Sequence, residues 1–196
     1  MTNGQHMADA KRHNRATLHK TVVMVGMMGA GKTAVGRTLA ARLGVPFRDS
    51  DHAIEEAADR TIAEIFARDG EPFFRRKETQ VIERLLNGPP CVLSTGGGAF
   101  MNANNRTMIS AAGVSVWLDA SLDLLWSRVR HKDTRPLLRG ADPYGTLQAL
   151  YEQRVPVYAL ADIAVRSEPG LSLEQMAIRV AEQLADRRPD VLEPTR

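Results

Sequence analysis

Residues 26–33 read Gly-Met-Met-Gly-Ala-Gly-Lys-Thr, a complete G-x-x-x-x-G-K-T phosphate-binding loop. An apolar run, residues 21–25, precedes the loop, and Val35, Leu39 and Leu43 follow it at helical spacing. A strand, a glycine-rich loop and a helix therefore occur in the order that a phosphate site requires. Glycines let several backbone N–H groups converge on one oxyanion at the positive end of that helix. The sequence thus predicts a nucleoside triphosphate site.

The polar side chains and the backbone of this loop have separate expected roles. Lys32 is expected to reach the β- and γ-phosphates, and the Thr33 hydroxyl is expected to ligate Mg²⁺ directly. The loop residues predicted to bind ATP are Gly29, Ala30, Gly31, Lys32, Thr33 and Ala34.

The charge of the chain is concentrated at one end. Residues 1–20 alone account for the formal net charge of +3, so residues 21–196 sum to zero. These first 20 residues show no apolar periodicity, which favours a disordered basic arm over a tether to nucleic acid or membrane. Because the rest of the chain has neither a basic excess nor an aromatic stacking platform, we expect no nucleic-acid partner.

Length and cysteine content narrow the class of protein further. A chain of 196 residues suits one domain with a substantial core. No segment has the apolar centre of a signal peptide or the length to span a bilayer, so no membrane partner is expected. The single cysteine, Cys91, begins an apolar run and offers neither a disulfide nor a metal cluster, which favours a reducing cytoplasm.

Short apolar runs alternate with helical patterns, which predicts an α/β fold with a parallel sheet. The predicted strands are 21–25, 45–48, 91–94, 114–118 and 163–166. The predicted helices are 34–43, 52–60, 61–70, 72–86, 120–129 and 173–184. Residues 187–196 are expected to form a polar tail.

Two carboxylates, Asp49 and Asp51, follow the second predicted strand. If strand conformation continued through them, they would point to opposite faces. One would then face Mg²⁺ and the other would take or orient the proton of an acceptor hydroxyl. The alternative is that Asp51 only caps the next helix. Because the strand 91–94 contains no aspartate, Asp49 is the better candidate for the carboxylate near the metal.

Three consecutive glycines, residues 96–98, follow the strand 91–94. Ligands bind at the carboxyl ends of strands in open α/β sheets, and exposed N–H groups there could bind an anionic substrate. A flexible turn is the alternative.

Arginines form a third group of candidates. Residues 128–139 carry five basic residues opposed only by Asp133, and a flap of this composition over a phosphate loop would supply transition-state charge. Arg75 and Arg154 could hold an acidic substrate, because arginine binds a carboxylate bidentately. A solvated helix face is the alternative for most of these charges.

Six blocks together resemble the shikimate kinase family, small P-loop enzymes that phosphorylate shikimate during aromatic amino-acid synthesis. The blocks are GMMGAGKT, FRDSD, Phe-Arg-Arg at 74–76, STGGGA, TRPLL and Arg-Val-Pro-Val-Tyr at 154–158. Their order and spacing follow the family from about residue 21 to residue 184. Each block beyond the first is weak alone, whereas the set is highly specific.

The resemblance implies one three-layer P-loop kinase domain over residues 21–186, usually monomeric, with a five-stranded parallel sheet. It also implies a helical substrate-binding region near 50–78 and a lid near 129–141. The implied reaction transfers the γ-phosphoryl group of ATP to the 3-hydroxyl of shikimate with Mg²⁺ as cofactor, on the route to chorismate. Many P-loops carry a second hydroxyl where this chain has Ala34, so a contact to the α-phosphate is expected to be lost.

The resemblance also implies roles for single residues. Asp51 resembles the residue that engages the shikimate hydroxyls and acts as catalytic base. Arg75 and Arg154 resemble the arginines that bind the substrate carboxylate, with Gly97 offering a backbone contact. Asp49 resembles a residue that supports Mg²⁺ through water.

Two arginines near the implied lid resemble residues that contact the nucleotide. Arg135 resembles the lid arginine that reaches the ATP phosphates, and with Lys32 and Asp51 it completes the expected catalytic set. Arg128 is implied to lie beside the adenine.

Two rival functions remain open at this point. Another small-metabolite kinase of the same architecture, such as a gluconate kinase, also has a hydroxy-acid substrate, although the FRDSD, STGGGA and TRPLL blocks favour shikimate. A nucleotide-dependent switch or nucleic-acid-binding ATPase would combine the phosphate loop with the basic arm. The zero net charge of residues 21–196 disfavours that second rival.

Overall fold

The computed structural model describes residues 17–131 and 140–193. Most of the expected lid, including Arg135, and residues 1–16 of the expected arm lie outside the described residues. So do residues 194–196.

A five-stranded parallel sheet forms the centre of the domain. In chain order the strands of the whole structure are β1 (Thr17–Leu18), β2 (Thr21–Val25), β3 (Phe47–Asp49), β4 (Val92–Ser94), β5 (Gly113–Ala120), β6 (Ile163–Ser167) and β7 (Leu192–Glu193). The central sheet has the order β3-β4-β2-β5-β6, and β1 pairs with β7 in a separate antiparallel ribbon. All five residues of β2 are buried, as expected for the middle strand of a covered parallel sheet.

Seven α-helices accompany the strands in the described ranges. They are α1 (Lys32–Leu43), α2 (Ser50–Ala58), α3 (Ile62–Leu86), α4 (Ala103–Ala112), α5 (Leu122–Val129), α6 (Pro143–Tyr158) and α7 (Leu173–Arg187). The α/β fold with five parallel strands is therefore confirmed, and each predicted strand overlaps an observed one. Nowhere in residues 17–131 or 140–193 is a helix both long enough and apolar enough to cross a membrane.

Helix α3 changes direction at Gly70, whose backbone is not helical (φ 78°, ψ 169°). Thr61 and Glu64 form the predicted capping box at its start, and Pro72 lies in the first turn after the break. The two helices predicted on either side of Gly70 are thus present as two segments joined by a kink.

The two ends of the described chain are folded against the domain. Leu18, Val191 and Leu192 are buried, and the His19 N–H donates to the Val191 carbonyl at 2.8 Å. Residues 17–20 and 187–193 are thus part of the folded domain, whereas the sequence predicts a disordered arm up to residue 20 and a polar tail from residue 187. A short apolar pair within a charged sequence is enough to anchor a two-residue strand here.

The register of the sheet positions the functional segments. Ser94 pairs with Met24 on one side and with Asp49 on the other, so β2, β3 and β4 end at nearly the same level. The phosphate loop, the two aspartates and the glycine segment all follow these ends, and they therefore meet at one edge of the sheet.

Candidate active site

A cleft of about 460 Å³ opens at the carboxyl ends of β2, β3 and β4. Its walls include loop residues 28–35, Asp49 and Asp51, residues 94–97 and Arg128. The structure therefore brings the predicted phosphate loop, both aspartates and Gly97 into one cavity. Arg75 and Arg154 stand at its edge, against the glycine segment.

The phosphate loop ends at Gly31, whose φ of 95° a residue with a side chain rarely adopts. Helix α1 then begins at Lys32, so its first N–H groups, which have no intrahelical acceptor, line the cleft. The Lys32 ammonium donates to the carbonyl oxygens of Gly26 at 2.8 Å and Met27 at 3.0 Å. These contacts hold the Lys32 ammonium close to the loop, where an anion would bind.

Three oxygen-bearing side chains meet beside the start of α1. The Thr33 hydroxyl donates to Oδ2 of Asp49 at 3.0 Å and lies 3.2 Å from the Ser94 hydroxyl. Hydroxyl and carboxylate oxygens are hard ligands of the type that Mg²⁺ prefers, and Mg²⁺ commonly takes one or two carboxylates together with phosphate oxygens and water. The donor set around Thr33 therefore fits the predicted cofactor.

The two aspartates have different environments, although not because of alternating strand faces. Strand β3 ends at Asp49, and Asp49 itself caps α2 by accepting a hydrogen bond from the Asp51 N–H at 3.0 Å. Asp51 lies in the first turn of that helix. The alternative that Asp51 is the helix cap is therefore wrong, as is the premise that the strand continues through both residues.

The carboxyl group of Asp51 has a pKa well above that of an exposed aspartate. Burial and the charge of Asp49 raise the pKa of Asp51 to about 6, against the opposing charge of Lys32. Among the described residues, Oδ1 of Asp51 has no hydrogen-bond partner. A buried carboxylate oxygen without a donor is costly in isolation, so this atom is suited to accept a hydrogen bond from a bound hydroxyl.

Glu78 of α3 is a second buried carboxylate next to Asp51. A methyl group at Gly96 would lie 2.8 Å from Oδ1 of Asp51 and 3.2 Å from Oε1 of Glu78. Burial raises the pKa of Glu78, and the ion pair with Arg75 opposes this shift. Within the part of the chain that the structure describes, Oε1 of Glu78 also has no hydrogen-bond partner.

Arg75 lies directly over the glycine segment. Its Nη1 donates to Glu78 at 2.9 Å, and its Nη2 donates to Glu71 at 2.9 Å. A methyl group at Gly98 would stand only 2.6 Å from both terminal guanidinium nitrogens, so the missing side chain makes room for Arg75. The glycines thus bring backbone and guanidinium together, which a merely flexible turn would not require.

Arg154 of α6 approaches the same segment at Gly97. A methyl group at Gly97 would lie 3.5 Å from Nη1 of Arg154 and 3.7 Å from the Met28 backbone nitrogen of the phosphate loop. The two predicted carboxylate-binding arginines therefore flank residues 96–98, close to the phosphate loop.

Arg128 of α5 contacts both the phosphate loop and Ser167, the last residue of β6. Its guanidinium donates to the Gly29 carbonyl at 3.3 Å and to the Ser167 hydroxyl at 3.4 Å. Burial lowers the pKa of Arg128. Arg128 thus belongs to the wall of the cleft that would face the nucleotide.

Sequence reasoning missed Glu78 and passed over the hydroxyl of Ser94. Glu78 comes four residues after Phe74, on the face of α3 that Phe74 and Val81 bury. A charged residue at a core-facing helical position is a signal that could have identified it. Ser94 was considered only as part of the strand 91–94 and of the STGGGA block, whereas its hydroxyl lies 3.2 Å from that of Thr33.

Comparison with known proteins identifies the family. A family model described as shikimate kinase matches residues 28–185. The chain is 70% identical to the shikimate kinase of Cereibacter sphaeroides over 182 residues, which cover 93% of this chain and 90% of that protein. It is 68% identical to the shikimate kinase of Ruegeria pomeroyi over 178 residues, which cover 91% of each.

The fold of this chain is also similar to those of solved structures. A shikimate kinase from Acinetobacter baumannii in complex with shikimate has a TM-score of 0.81 and 36% identity, covering 86% of this chain and 94% of that chain. A gluconokinase from Sinorhizobium meliloti has a TM-score of 0.56 and 20% identity over 85% of this chain and 92% of that chain, which shows a shared fold alone.

Proposed function

The chain belongs to the shikimate kinase family, and we propose that it transfers the γ-phosphoryl group of ATP to the 3-hydroxyl of shikimate. The products are shikimate 3-phosphate and ADP, on the route to chorismate and the aromatic amino acids. The observation that carries this proposal is the position of Asp51: a carboxylate with a raised pKa lies in the same cleft as the phosphate loop.

Asp51 receives the acceptor hydroxyl. A general base works best when its pKa is near the working pH, and a pKa of about 6 leaves Asp51 ionised and still basic at pH 7. Its Oδ1 accepts the hydrogen bond of the attacking hydroxyl and takes or orients the proton during transfer. Glu78, whose Oε1 is nearby, accepts a hydrogen bond from a second hydroxyl of the substrate.

Arg75 and Arg154 bind the carboxylate of shikimate. They flank the glycine segment, and their planar guanidinium groups match a carboxylate through two N–H donors each. Gly97 contributes backbone contact at a position where a side chain would fill the space. The ion pair between Arg75 and the buried Glu78 keeps the guanidinium in place before the substrate arrives.

Lys32 and the first turn of α1 hold the polyphosphate, so catalysis depends mainly on positioning and charge. Thr33 would hold Mg²⁺ directly and Asp49 would hold it through water; when bound, the ion neutralises charge on the phosphate oxygens. The family resemblance alone assigns a role to Arg135: from the predicted lid, it places a further positive charge beside the transferring phosphoryl group.

The enzyme is expected to work as a monomer in the cytoplasm. The buried free Cys91 accords with a reducing cytoplasm. We expect a monomer with ATP and shikimate as partners, which light scattering coupled to size-exclusion chromatography would check. A mass of twice 21.6 kDa would contradict the monomer.

A direct assay tests the function. Purified protein with Mg·ATP is given shikimate, gluconate, a nucleoside monophosphate or no acceptor, and ADP release is followed. We expect rapid release of ADP only when shikimate is the acceptor. Faster ADP release with gluconate would indicate a gluconate kinase instead. Equal ADP release without any acceptor would contradict phosphoryl transfer to a small acid.

A further inference from the structure

Tyr158, the last residue of α6, brings one polar atom into the acceptor side of the cleft. Its side chain is fully buried, and its ring centroid lies 6.5 Å from that of Phe100 and 6.3 Å from that of Trp117. The hydroxyl donates a hydrogen bond to the carbonyl oxygen of Gly97. A ring held by two aromatic neighbours therefore fixes where this donor stands.

The same hydroxyl also meets Arg154, which lies one helical turn earlier on α6. Burial raises the pKa of Tyr158 to about 12, and the Arg154 guanidinium opposes the shift through its charge and a hydrogen bond. The phenol consequently stays protonated throughout the neutral range. Phenol, carbonyl and guanidinium form one contiguous group, because Gly97 itself lies close to Arg154.

The carbonyls of Gly96 and Gly98 accept backbone N–H groups of Ala99 and Met101, whereas the Gly97 carbonyl accepts the Tyr158 hydroxyl. Glycine has the largest backbone freedom of any residue, so three in succession do not define one conformation by themselves. The peptide bond is planar, and fixing the Gly97 carbonyl therefore also fixes the N–H of Gly98, which points in the opposite direction within the same plane.

We infer that Tyr158 is a positioning residue that sets the Gly97 backbone and the Arg154 guanidinium in the arrangement that receives the acceptor carboxylate. This inference rests on the proposed function and deepens it. Tyr158 does not touch the substrate; it acts through the two groups that do.

Tyr158→Phe tests the inference, because it keeps the ring and removes the hydroxyl. The KM for shikimate is expected to rise roughly five- to tenfold, the effect of losing one buried hydrogen bond. The KM for ATP and the kcat should stay within about twofold, because Tyr158 holds binding groups and not the reacting atoms. Tyr151→Phe, the same deletion on the same helix at a half-buried position, is the matched control and should leave both KM values unchanged.

A merely structural role gives a different result. If Tyr158→Phe lowers the melting temperature while the shikimate KM, measured well below that temperature, equals the wild-type value, the inference is wrong. Replacing Tyr158 with 4-aminophenylalanine restores the donor to the Gly97 carbonyl, although an aniline nitrogen is a poor acceptor for Arg154, and should therefore return the KM part of the way to the wild-type value. Failure of this rescue in a folded variant would also overturn the inference.

A double-mutant cycle identifies the path of the effect. In an Arg154→Ala background, Tyr158→Phe should raise the shikimate KM by clearly less than it does in the wild type. Fully additive effects would overturn the coupling between the two residues. Wild-type protein without shikimate-dependent ADP release would instead remove the proposed function, whereas an active wild type with an unaltered Tyr158→Phe variant removes only this inference.

Discussion

The two sides of the cleft are assembled differently. The phosphate side consists largely of one continuous segment, residues 26–34, in which backbone N–H groups are the expected donors to the phosphates. The acceptor side takes Asp51 from α2, Arg75 and Glu78 from α3, three glycines after β4 and Arg154 from α6.

The difference shows where specificity resides. A loop of backbone donors at a helix start recognises polyphosphate in any context, because its geometry is local. Side chains from three helices, together with the glycine segment, can match one particular arrangement of hydroxyls and carboxylate, but only after the whole domain has folded. The acceptor side also contains buried oxygens without partners among the described residues, whereas the Lys32 ammonium of the phosphate side already contacts its own loop.

Asp51→Asn should have the largest effect of these variants, and the effect should be confined to the acceptor side. Loss of a general base is expected to lower kcat by about 10²- to 10⁴-fold, while the affinity for ATP, measured by calorimetry, stays within about twofold. Glu56→Gln, an exposed change on the same helix, is the control and should leave kcat unchanged. A fully active Asp51→Asn enzyme would exclude Asp51 as the base.

The same variant should be more stable than the wild type. The pKa of Asp51 rises from 3.8 when unfolded to about 6 when folded, so the ionised carboxylate destabilises the folded state at pH 7. Removing it is expected to raise the free energy of unfolding at pH 7 by up to about 2 kcal/mol, with the gain vanishing below about pH 4. Denaturation of the variant at lower urea concentration than the wild type at pH 7 would contradict this.

Arg154→Ala should disable the acceptor side alone. Loss of a partner to a desolvated carboxylate costs about 2–5 kcal/mol, so the shikimate KM should rise at least roughly 30-fold, with the ATP KM unchanged. Arg154→Lys should restore only part of the loss, because an ammonium cannot bind bidentately. The exposed Arg166→Ala serves as the control. An unaltered shikimate KM would remove Arg154 from the site.

Thr33→Val tests the phosphate side of the cleft, where Thr33 is expected to bind Mg²⁺. Without the hydroxyl, the concentration of Mg²⁺ that gives half-maximal rate should rise roughly 10- to 100-fold, and the shikimate KM should not change. Thr33→Ser keeps the hydroxyl and should behave like wild type, and Thr38→Val on the same helix controls for the change of shape. A parallel rise in the shikimate KM would mean that the two sides are not independent.

The smallest expected effect is the fall in activity at acid pH. Because the raised pKa of Asp51 is about 6, kcat/KM for shikimate should fall about tenfold between pH 7 and pH 5 as the base is protonated. The Kd for Mg·ATP should vary less over the same range, because Asp51 belongs to the acceptor side of the cleft. A flat rate profile down to pH 5 would contradict the pKa that burial imposes on Asp51.

Local patterns predicted most of the sheet and the whole phosphate loop. The buried strands are continuous apolar runs, and the loop carries its own signal within eight residues. Helices α4 and α6 were missed. Helix α4 buries only Asn105 and Ile109, and α6 includes Gly145 and Pro156, so neither shows a continuous apolar stripe.

The acceptor side was predicted from the family resemblance more than from physics. Nothing in the spacing of Arg75 and Arg154 requires them to flank one glycine segment, because tertiary packing brings them there. Glu78 and Tyr158 were absent from the predicted site for the same reason. Glu78 lies next to Asp51 and Tyr158 donates to Gly97, and both of these neighbours are far away in sequence.

The ribbon of β1 and β7 places the two ends of the described chain side by side. Thr17 is opposite Glu193 and Leu18 is opposite Leu192, so a short linker could join the ends without disturbing the core. New termini could then be opened in the exposed turn at residues 87–89, between α3 and β4. The fold is thus suited to circular permutation, which would move the phosphate loop to the middle of the rearranged chain.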